Sequence, residues 1–172
     1  MKILFISPNA PGISVGGIER HIKNLIDYCC QNNKEAVFLL PSCKHESKEK
    51  IGNVMIIKKD FLNLSYKKLF NRKEIPIKEL KAKSDEFFEF IKRLIKEENI
   101  EIVNAQNFHL SLPPVFNLMV NMACYLAKVP MVIRMHSFIR SEIQKSLVND
   151  LSWEKILCVS KSVAGDCFTK GI

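Results

Sequence analysis

Two adjacent glycines, Gly16 and Gly17, separate an apolar run from a helical pattern near the start of this chain of 172 residues. The residues around them read SVGGIERH. A glycine has no side chain, so another group can approach its backbone, and the first turn of a helix presents unpaired N–H groups and the positive end of the helix dipole. A phosphate or diphosphate would fit at this position. A plain tight turn between a strand and a helix would also use two glycines, so the pair alone leaves both interpretations open.

Other polar residues that could do chemistry follow the predicted strands. In an open parallel sheet, ligands bind beyond the carboxyl ends of the strands, where the chain order reverses. The loops at these ends cover residues 7–17, 41–45, 104–109, 136–138 and 160–161. They contain three of the four histidines and both adjacent glycines. The candidate site is therefore expected at this edge of the sheet.

Several common cofactor and catalytic motifs are absent from the sequence. A dinucleotide site needs G-x-G-x-x-G and an acidic residue after the second strand, whereas this chain has GISVGG and then Pro41 and Ser42. A P-loop needs Gly-Lys before Ser or Thr, but Ile18 follows Gly17. The six cysteines form no C-x-x-C pair, and H-E-x-x-H does not occur. We therefore expect no metal, no cofactor, and cysteines that are structural in a reducing cytosol.

A basic segment at residues 61–83 carries much of the net charge of +8. Its seven lysines and arginines stand against two glutamates, which gives the segment a charge of +5. Phe61, Tyr66, Phe70 and several leucines are interleaved with the basic residues, a composition typical of membrane-surface elements. A solvated charged loop is the alternative interpretation. No nucleic-acid-binding module accompanies the segment, so a nucleic-acid partner is not expected.

Short apolar runs alternate with amphipathic helical patterns along the chain. Strands are predicted at residues 2–7, 36–40, 54–57, 100–103, 131–135 and 156–159. Helices are predicted from residue 18, from residue 84, over about residues 114–128, from about residue 140, and after residue 160. Ser84 and Ser160 are the expected N-caps of their helices. This alternation predicts a single Rossmann-like α/β domain over residues 1–172, with a doubly wound parallel sheet and helices on both faces.

Two apolar stretches could be mistaken for targeting or membrane segments. The first, at residues 3–6, is too short for the apolar region of a signal peptide. The second, at residues 112–129, is interrupted by two prolines, Asn117 and Asn121, so a buried helix is expected there rather than a membrane span. These features predict a soluble cytoplasmic protein.

Four segments in chain order carry motifs of one enzyme family. Residues 3–29, ILFISPNAPGISVGGIERHIKNLIDYC, combine a first strand with a loop that ends in G-G-x-E-R. Residues 102–107, IVNAQN, correspond to a strand often written V-H-A-H, with Asn104 and Gln106 at the histidine positions. Residues 132–136, VIRMH, and 157–161, LCVSK, correspond to two later strands. Together the four segments resemble the N-terminal domain of retaining GT-B glycosyltransferases of the group 1 or family 4 type.

The resemblance implies a two-domain enzyme that transfers a sugar from a nucleotide donor with retention of configuration. In that family both domains are Rossmann-like, the N-terminal domain mainly shapes the acceptor site, and the C-terminal domain holds most of the nucleotide. Residues 1–172 would be the N-terminal domain, without the C-terminal nucleotide-sugar-binding domain and inactive in isolation. The nucleotide-sugar would be a substrate rather than a cofactor, and no metal is expected.

The same resemblance implies roles for individual residues. The backbone N–H groups of Gly16 and Gly17 would face the donor diphosphate or an acceptor phosphate, and His136 would be the catalytic residue beside the transferring sugar. The acceptor-side residues would be Asn107, His109, Ser160 and Lys161, and the loop-orienting residues would be Glu19 and Arg20. As alternatives, His136 is a histidine satisfied near a strand end, and Ser160 and Lys161 are a helix cap and a solvated lysine.

Two functions remain open at this point. The first is the acceptor-binding domain of a glycosyltransferase that acts on an envelope, lipid-linked or saccharide acceptor. Its location would be cytoplasmic or peripheral on the inner face of the membrane, with residues 61–83 in contact with anionic lipid. The second is a non-catalytic Rossmann-like module, or a partner subunit, that binds a phosphorylated metabolite with the same glycine loop.

Overall fold

The computed structural model describes residues 1–12, 16–42, 45–63 and 76–172. In these ranges the strands are β1 (Ile3–Ile6), β2 (Ala36–Pro41), β3 (Ser47–Ile51), β4 (Val54–Lys59), β5 (Ile102–Gln106), β6 (Met131–Met135) and β7 (Lys155–Cys158). The α-helices are α1 (Gly17–Gln31), α2 (Ile77–Glu97), α3 (Phe108–Ser111), α4 (Pro114–Ala127), α5 (Glu142–Asn149) and α6 (Lys161–Thr169), and a 3-10 helix spans Asp60–Asn63. Strands and helices alternate through most of the chain, as the sequence predicts.

The strands form one sheet in the order β3-β4-β2-β1-β5-β6-β7. Every neighbouring pair is parallel except β3 with β4. At the centre, Phe5 of β1 is aligned with Phe38 of β2 on one side and with Asn104 of β5 on the other. The chain adds β2 and β4 on one side of β1 and β5 to β7 on the other, so its order reverses between β1 and β5. The predicted doubly wound α/β fold is therefore confirmed, and this reversal fixes the edge where a ligand is expected.

Strand β3 lies in a stretch for which no strand was predicted from the sequence. Its side chains, including Lys48, Glu49 and Lys50, are all exposed, so no apolar pattern marks it. It forms because its backbone pairs antiparallel with β4 through a hairpin in which Gly52 has a φ of +58°. Charged side chains suit an edge strand because they oppose further pairing with another sheet.

Helices cover both faces of the sheet, and each face has its own apolar core. On one face, Ile22 of α1 packs against β1 and β2, where the rings of Phe5 and Phe38 stack with centroids 4.8 Å apart. On the opposite face, α2 and α4 pack against each other and, with residues from α5 and α6, bury the larger core. Phe87 of α2 joins this core to Phe61 and Phe116, with ring centroids 5.2 and 5.1 Å away.

The prediction that Ser84 caps a helix is wrong, because α2 already begins at Ile77. Ser84 is buried within this helix, and its hydroxyl donates to the backbone oxygen of Lys81 at 2.8 Å. The first turns of α2 carry lysines and glutamate, which favour helix but give no apolar face from which a start could be read. Most of the basic segment, residues 64–75, lies outside the described part of the chain. Its last part forms the start of α2, where Ile77 is 85% exposed.

Helix α4 accounts for the apolar stretch at residues 112–129, but only one of its faces is buried. Phe116 and Val120 lie in the core, whereas Leu118, Met122 and Tyr125 on the outer face are exposed, Tyr125 by 76%. The expectation of a buried helix therefore holds for its inner face alone. Among the residues that the structure describes, no helix has both the length and the apolar character needed to cross a membrane.

Candidate active-site pocket

A pocket of about 600 Å³ opens between the start of α1 and the ends of β6 and β7. Its lining residues are Gly17, Ile18, His21, Arg134, His136, Ser137 and Val159. It lies at the carboxyl edge of the sheet, where the strand order predicted a ligand site. The fold thus brings Gly17 and His136, two residues singled out in the sequence, into one pocket.

The two glycines have different surroundings. A Cβ atom built on Gly17 would meet nothing within 4 Å, so this residue leaves open space on the pocket side of α1. A Cβ atom on Gly16 would lie 2.6 Å from Oε2 of Glu19, and Gly16 is not among the lining residues. Gly16 has an extended backbone, with φ of −166°, that any residue adopts. A side chain at this position would require the Glu19 carboxylate to move.

Glu19 connects the loop after β1 to the start of α1. It is buried, and its Oε1 accepts a hydrogen bond of 3.1 Å from the side-chain amide of Asn9. Asn9 is held by Ser7, whose hydroxyl donates to the Asn9 backbone oxygen at 2.7 Å. Glu19 therefore occupies a position from which it can orient the glycine loop. Arg20 is exposed, and its backbone N–H donates to the Gly16 oxygen at 3.2 Å.

His136 is held by a chain of side-chain amides from β5. Nε2 of Gln106 donates to Oδ1 of Asn104 at 2.6 Å, so Oε1 of Gln106 is turned toward Nε2 of His136, 2.9 Å away. A neutral His136 must then carry its proton on Nε2 and keep a lone pair on Nδ1. The backbone N–H of His136 also donates to Oδ1 of Asn107 at 3.3 Å. These bonds fix the position and tautomer of the imidazole.

The electrostatics of the pocket keep His136 neutral at physiological pH. Burial is the main cause that lowers its pKa to about 4, and positive charge at His21, Arg134 and His109 lowers it further. The rings of His21 and His136 lie 5.2 Å apart. Burial, and then the charge of Arg134, also lowers the pKa of His21. The two imidazoles are thus available as neutral hydrogen-bonding groups rather than as cations.

The two buried acceptor-side candidates lie beneath the pocket rather than on its surface. Asn107 and His109 are each 1% exposed. Asn107 adopts a left-handed backbone with φ of 53°, which asparagine tolerates better than most residues. His109 Nε2 lies 3.2 Å from the backbone oxygen of Ser137, and burial lowers the His109 pKa to about 4 against smaller raising effects of that oxygen and Asp166. Both residues support the segment that carries His136.

The other two acceptor-side candidates, Ser160 and Lys161, stand at the start of α6. The Ser160 hydroxyl accepts a hydrogen bond of 3.2 Å from the Val163 N–H, so the predicted helix cap is confirmed. Lys161 is exposed. Neither residue lines the pocket, although their neighbour Val159 does. Their acceptor role stays a prediction.

Three residues with a clear place at the pocket were not predicted to be site residues. Two of them, His21 and Arg134, line it, and Gln106 orients His136. Helical spacing puts His21 on the same face as Gly17, and strand alternation puts Arg134 on the same face as His136, so periodicity could have indicated both. In the described ranges, no group of three histidine, cysteine or acidic side chains is placed to bind a metal ion.

Several solved structures share this fold, including the following three. MurG of Acinetobacter baumannii matches with a TM-score of 0.55 and 12% identity over 91% of this chain and 40% of its own. The trehalose-6-phosphate synthase OtsA matches with a TM-score of 0.54 and 14% identity over 98% of this chain and 44% of its own. The UDP-GlcNAc 2-epimerase of Methanocaldococcus jannaschii matches with a TM-score of 0.50 and 11% identity over 100% of this chain and 43% of its own. The chain therefore spans less than half the length of these structures.

The chain shares a Rossmann-like α/β domain fold with these structures, and its pocket lies at the carboxyl ends of the strands. The family model described as Glycosyltransferase Family 4 matches residues 15–172, and the chain belongs to this family. No curated protein sequence matches the chain. The predicted family resemblance is thus confirmed at the level of GT-B glycosyl transfer.

Proposed function

We propose that this chain is the N-terminal, acceptor-side domain of a retaining glycosyltransferase with a nucleotide-sugar donor. The observation that carries the proposal is that Gly17 and His136 line one pocket at the carboxyl edge of the sheet. His136 is neutral there, and its hydrogen bond to Gln106 fixes its tautomer. Membership of Glycosyltransferase Family 4 supports sugar transfer as the reaction. The acceptor would be an envelope, lipid-linked or saccharide molecule.

In this proposal the pocket stabilises charge on the departing diphosphate and positions the sugar. The open side of Gly17 lets a phosphate approach the first turn of α1, whose N–H groups and dipole favour negative charge. His136 offers the lone pair of Nδ1 as an acceptor for a sugar hydroxyl. None of the lining residues is Asp or Glu, so the pocket supplies no carboxylate nucleophile. Retention of configuration rests on the family resemblance.

The second half of the active site would come from a C-terminal nucleotide-sugar-binding domain. The supporting observation is that the chain covers only 40–44% of each solved structure it matches. The isolated domain would then bind ligands without transferring sugar. No metal ion or cofactor is proposed, so EDTA should leave transfer by the two-domain enzyme unchanged.

The direct test is transfer and donor hydrolysis by a two-domain enzyme with this chain as its first domain. His136→Ala should lower kcat by at least about 100-fold, since it removes a group that contacts the reacting sugar. His45→Ala is the matched control because His45 is exposed and lies outside the pocket. Wild-type turnover in the His136 variant would refute the catalytic assignment. Binding of phosphorylated metabolites with no turnover by the wild type would favour the non-catalytic module instead.

Peripheral attachment to the inner face of the membrane is a second part of the proposal. It is supported by the basic segment and by exposed Ile77, Lys78 and Lys81 at the start of α2. Vesicles that contain phosphatidylserine should bind the chain at low salt and release it at about 0.5 M salt, because surface charges are then screened.

Matched charge reversals locate the membrane contact. Replacing Lys78 and Lys81 with glutamate should weaken vesicle binding, whereas the same change at Lys92 and Lys96, farther along α2, should not. Equal binding to neutral phosphatidylcholine vesicles, or equal effects of the two double variants, would count against this contact.

A further inference from the structure

The pocket contains two basic side chains that each have a nitrogen atom without a hydrogen-bond partner. The Nε atom of Arg134 and the Nε2 atom of His21 are buried, and neither has a hydrogen-bond partner. Among the described residues Arg134 also forms no ion pair. A buried nitrogen without a partner is unfavourable, and a ligand that supplies the missing atoms would remove this penalty.

The charge of the pocket selects an anion as the ligand. Its lining includes Arg134 and two histidines but no carboxylate. The imidazoles lie 5.2 Å apart. Burial lowers the pKa of both, and the charge of Arg134 is a smaller contribution in the same direction. A negative ligand would be attracted by the charge of Arg134.

The arrangement of these groups favours a phosphoryl group over a carboxylate. Arg134 projects from β6, while His21 and Gly17 belong to α1, so the possible donors approach from two separate elements. A phosphoryl group offers three oxygens to such a set, whereas a carboxylate offers two. The planar fork of an arginine matches two oxygens of either group, so the third phosphoryl oxygen makes the difference.

We propose that Arg134 and His21 bind a phosphoryl group of a substrate in this pocket, beside Gly17 and His136. The proposal deepens the proposed function and rests on it for the identity of the substrate, which is either the donor diphosphate or a phosphorylated acceptor. Arg134 and His21 are then substrate-binding residues. His136 keeps its separate place beside the sugar.

Binding is measured on the 172-residue chain by NMR of the histidine side chains during titration with pyrophosphate. The resonances of His21 and His136 should move together, while that of exposed His45 should not. Arg134→Gln should weaken pyrophosphate binding by at least about tenfold, and His21→Asn should weaken it by a smaller factor. Arg93→Gln is the matched control, since it removes the same charge from an exposed site on α2.

Three further ligands distinguish the source of the phosphoryl group and the role of its charge. Tighter binding of UDP than of glycerol phosphate, with the same dependence on Arg134, identifies the donor diphosphate. The reverse order identifies a phosphorylated acceptor. Acetate should bind much more weakly than either, and acetate binding as tight as that of pyrophosphate would overturn the choice of a phosphoryl group.

The proposal falls if millimolar pyrophosphate moves neither histidine resonance, or if Arg134→Gln and His21→Asn bind pyrophosphate as the wild type does. Circular dichroism checks that each variant is folded. If Arg134→Gln is unfolded, pyrophosphate binding is measured on Arg134→Lys and His21→Asn instead. Wild-type affinity for pyrophosphate in both variants would overturn the proposal.

This binding test needs no turnover, so it separates the two proposals. Arg134-dependent binding in a protein that transfers no sugar would retain the phosphoryl site and refute the transferase. Sugar transfer together with pyrophosphate binding that does not depend on Arg134 would retain the transferase and refute the phosphoryl site.

Discussion

At the scale of single residues, the chemistry of the pocket depends on the ring nitrogen of His136 that remains available for a ligand. The Nε2 proton is committed to Gln106, whose amide is oriented in turn by Asn104. Nδ1 therefore remains as a hydrogen-bond acceptor on a ring whose pKa of about 4 keeps it neutral. A group of this kind can accept a hydrogen bond from a sugar hydroxyl, but it carries no positive charge at neutral pH.

Replacing Gln106 with glutamate should favour the positively charged form of His136. A carboxylate 2.9 Å from Nε2 would favour the imidazolium form, so the pKa of His136 should rise well above 4, as followed by NMR titration. Sugar transfer by the two-domain enzyme should fall at the same time. Gln144→Glu, at a buried glutamine of α5, is the control and should leave His136 unchanged. A His136 pKa that stays near 4 in Gln106→Glu would contradict the role assigned to Gln106.

Gly17→Val should separate stability from activity. The side chain has open space in this domain, so the folded state should tolerate it with a change in unfolding free energy within about 1 kcal/mol. The same side chain would enter the pocket and should abolish transfer. Gly165→Val provides the control, because Gly165 lies in α6 with equal space around it and does not line the pocket. Unchanged transfer by Gly17→Val would return the glycine pair to the role of a plain turn.

At the scale of secondary-structure elements, helix ends and sheet edges position the site. The N-terminus of α1 forms one wall of the pocket, and the ends of β6 and β7 form the other. Three serines have different places relative to their helices: Ser141 and Ser160 cap α5 and α6, whereas Ser84 lies inside α2. Sequence preference alone treats these positions as equivalent.

The serines can be distinguished by their effects on stability. Ser160→Ala should lower the free energy of unfolding by about 1 kcal/mol, because the first turn of α6 loses its capping oxygen. Ser162→Ala is the matched control, because Ser162 lies two residues later and is exposed. This change should leave the free energy of unfolding almost unaltered. Ser84→Ala should also be neutral or slightly stabilising, since serine inside a helix bonds back to the preceding turn. Denaturant unfolding measures all three, and a loss at Ser84 equal to that at Ser160 would contradict these roles.

At the scale of the whole molecule, buried histidines make the folded state sensitive to acid. Burial holds the pKa of His109 and His136 at about 4, below the ordinary histidine value of 6.5. The unfolded chain therefore binds protons more readily, and stability is fully present above pH 6.5 and falls as the pH decreases toward 4. The positive charge of Arg134 adds to this effect at His136, whereas Asp166 opposes it at His109.

His109→Gln should flatten the dependence of stability on pH. Because each pKa unit corresponds to about 1.4 kcal/mol, the wild type should lose on the order of 3 kcal/mol through His109 between pH 7 and pH 4. The variant should lack this part of the loss, even if its stability at pH 7 is lower. Urea unfolding at a series of pH values measures the slope, and His45→Gln serves as the control. Equal slopes for wild type and His109→Gln would refute the assignment.

The sequence by itself determined the alternation of strands and helices, the doubly wound fold class, the glycine loop and the candidate His136. These features follow from local patterns, since apolar periodicity and chain breakers act over neighbouring residues. Strand β6 was predicted with the bounds that the structure shows, because its apolar run is short and ends at a histidine.

Only the tertiary structure decided which polar groups meet. Strand β3 forms because its backbone pairs with β4, and no side-chain pattern predicts it. Gln106 reaches His136, and His21 reaches Arg134, because sheet register and helix packing bring distant elements together. The partners of a polar side chain depend on such non-local contacts. The fold class could therefore be predicted from the sequence. The tautomer of His136, and the nitrogen atoms of Arg134 and His21 that lack hydrogen-bond partners, could not.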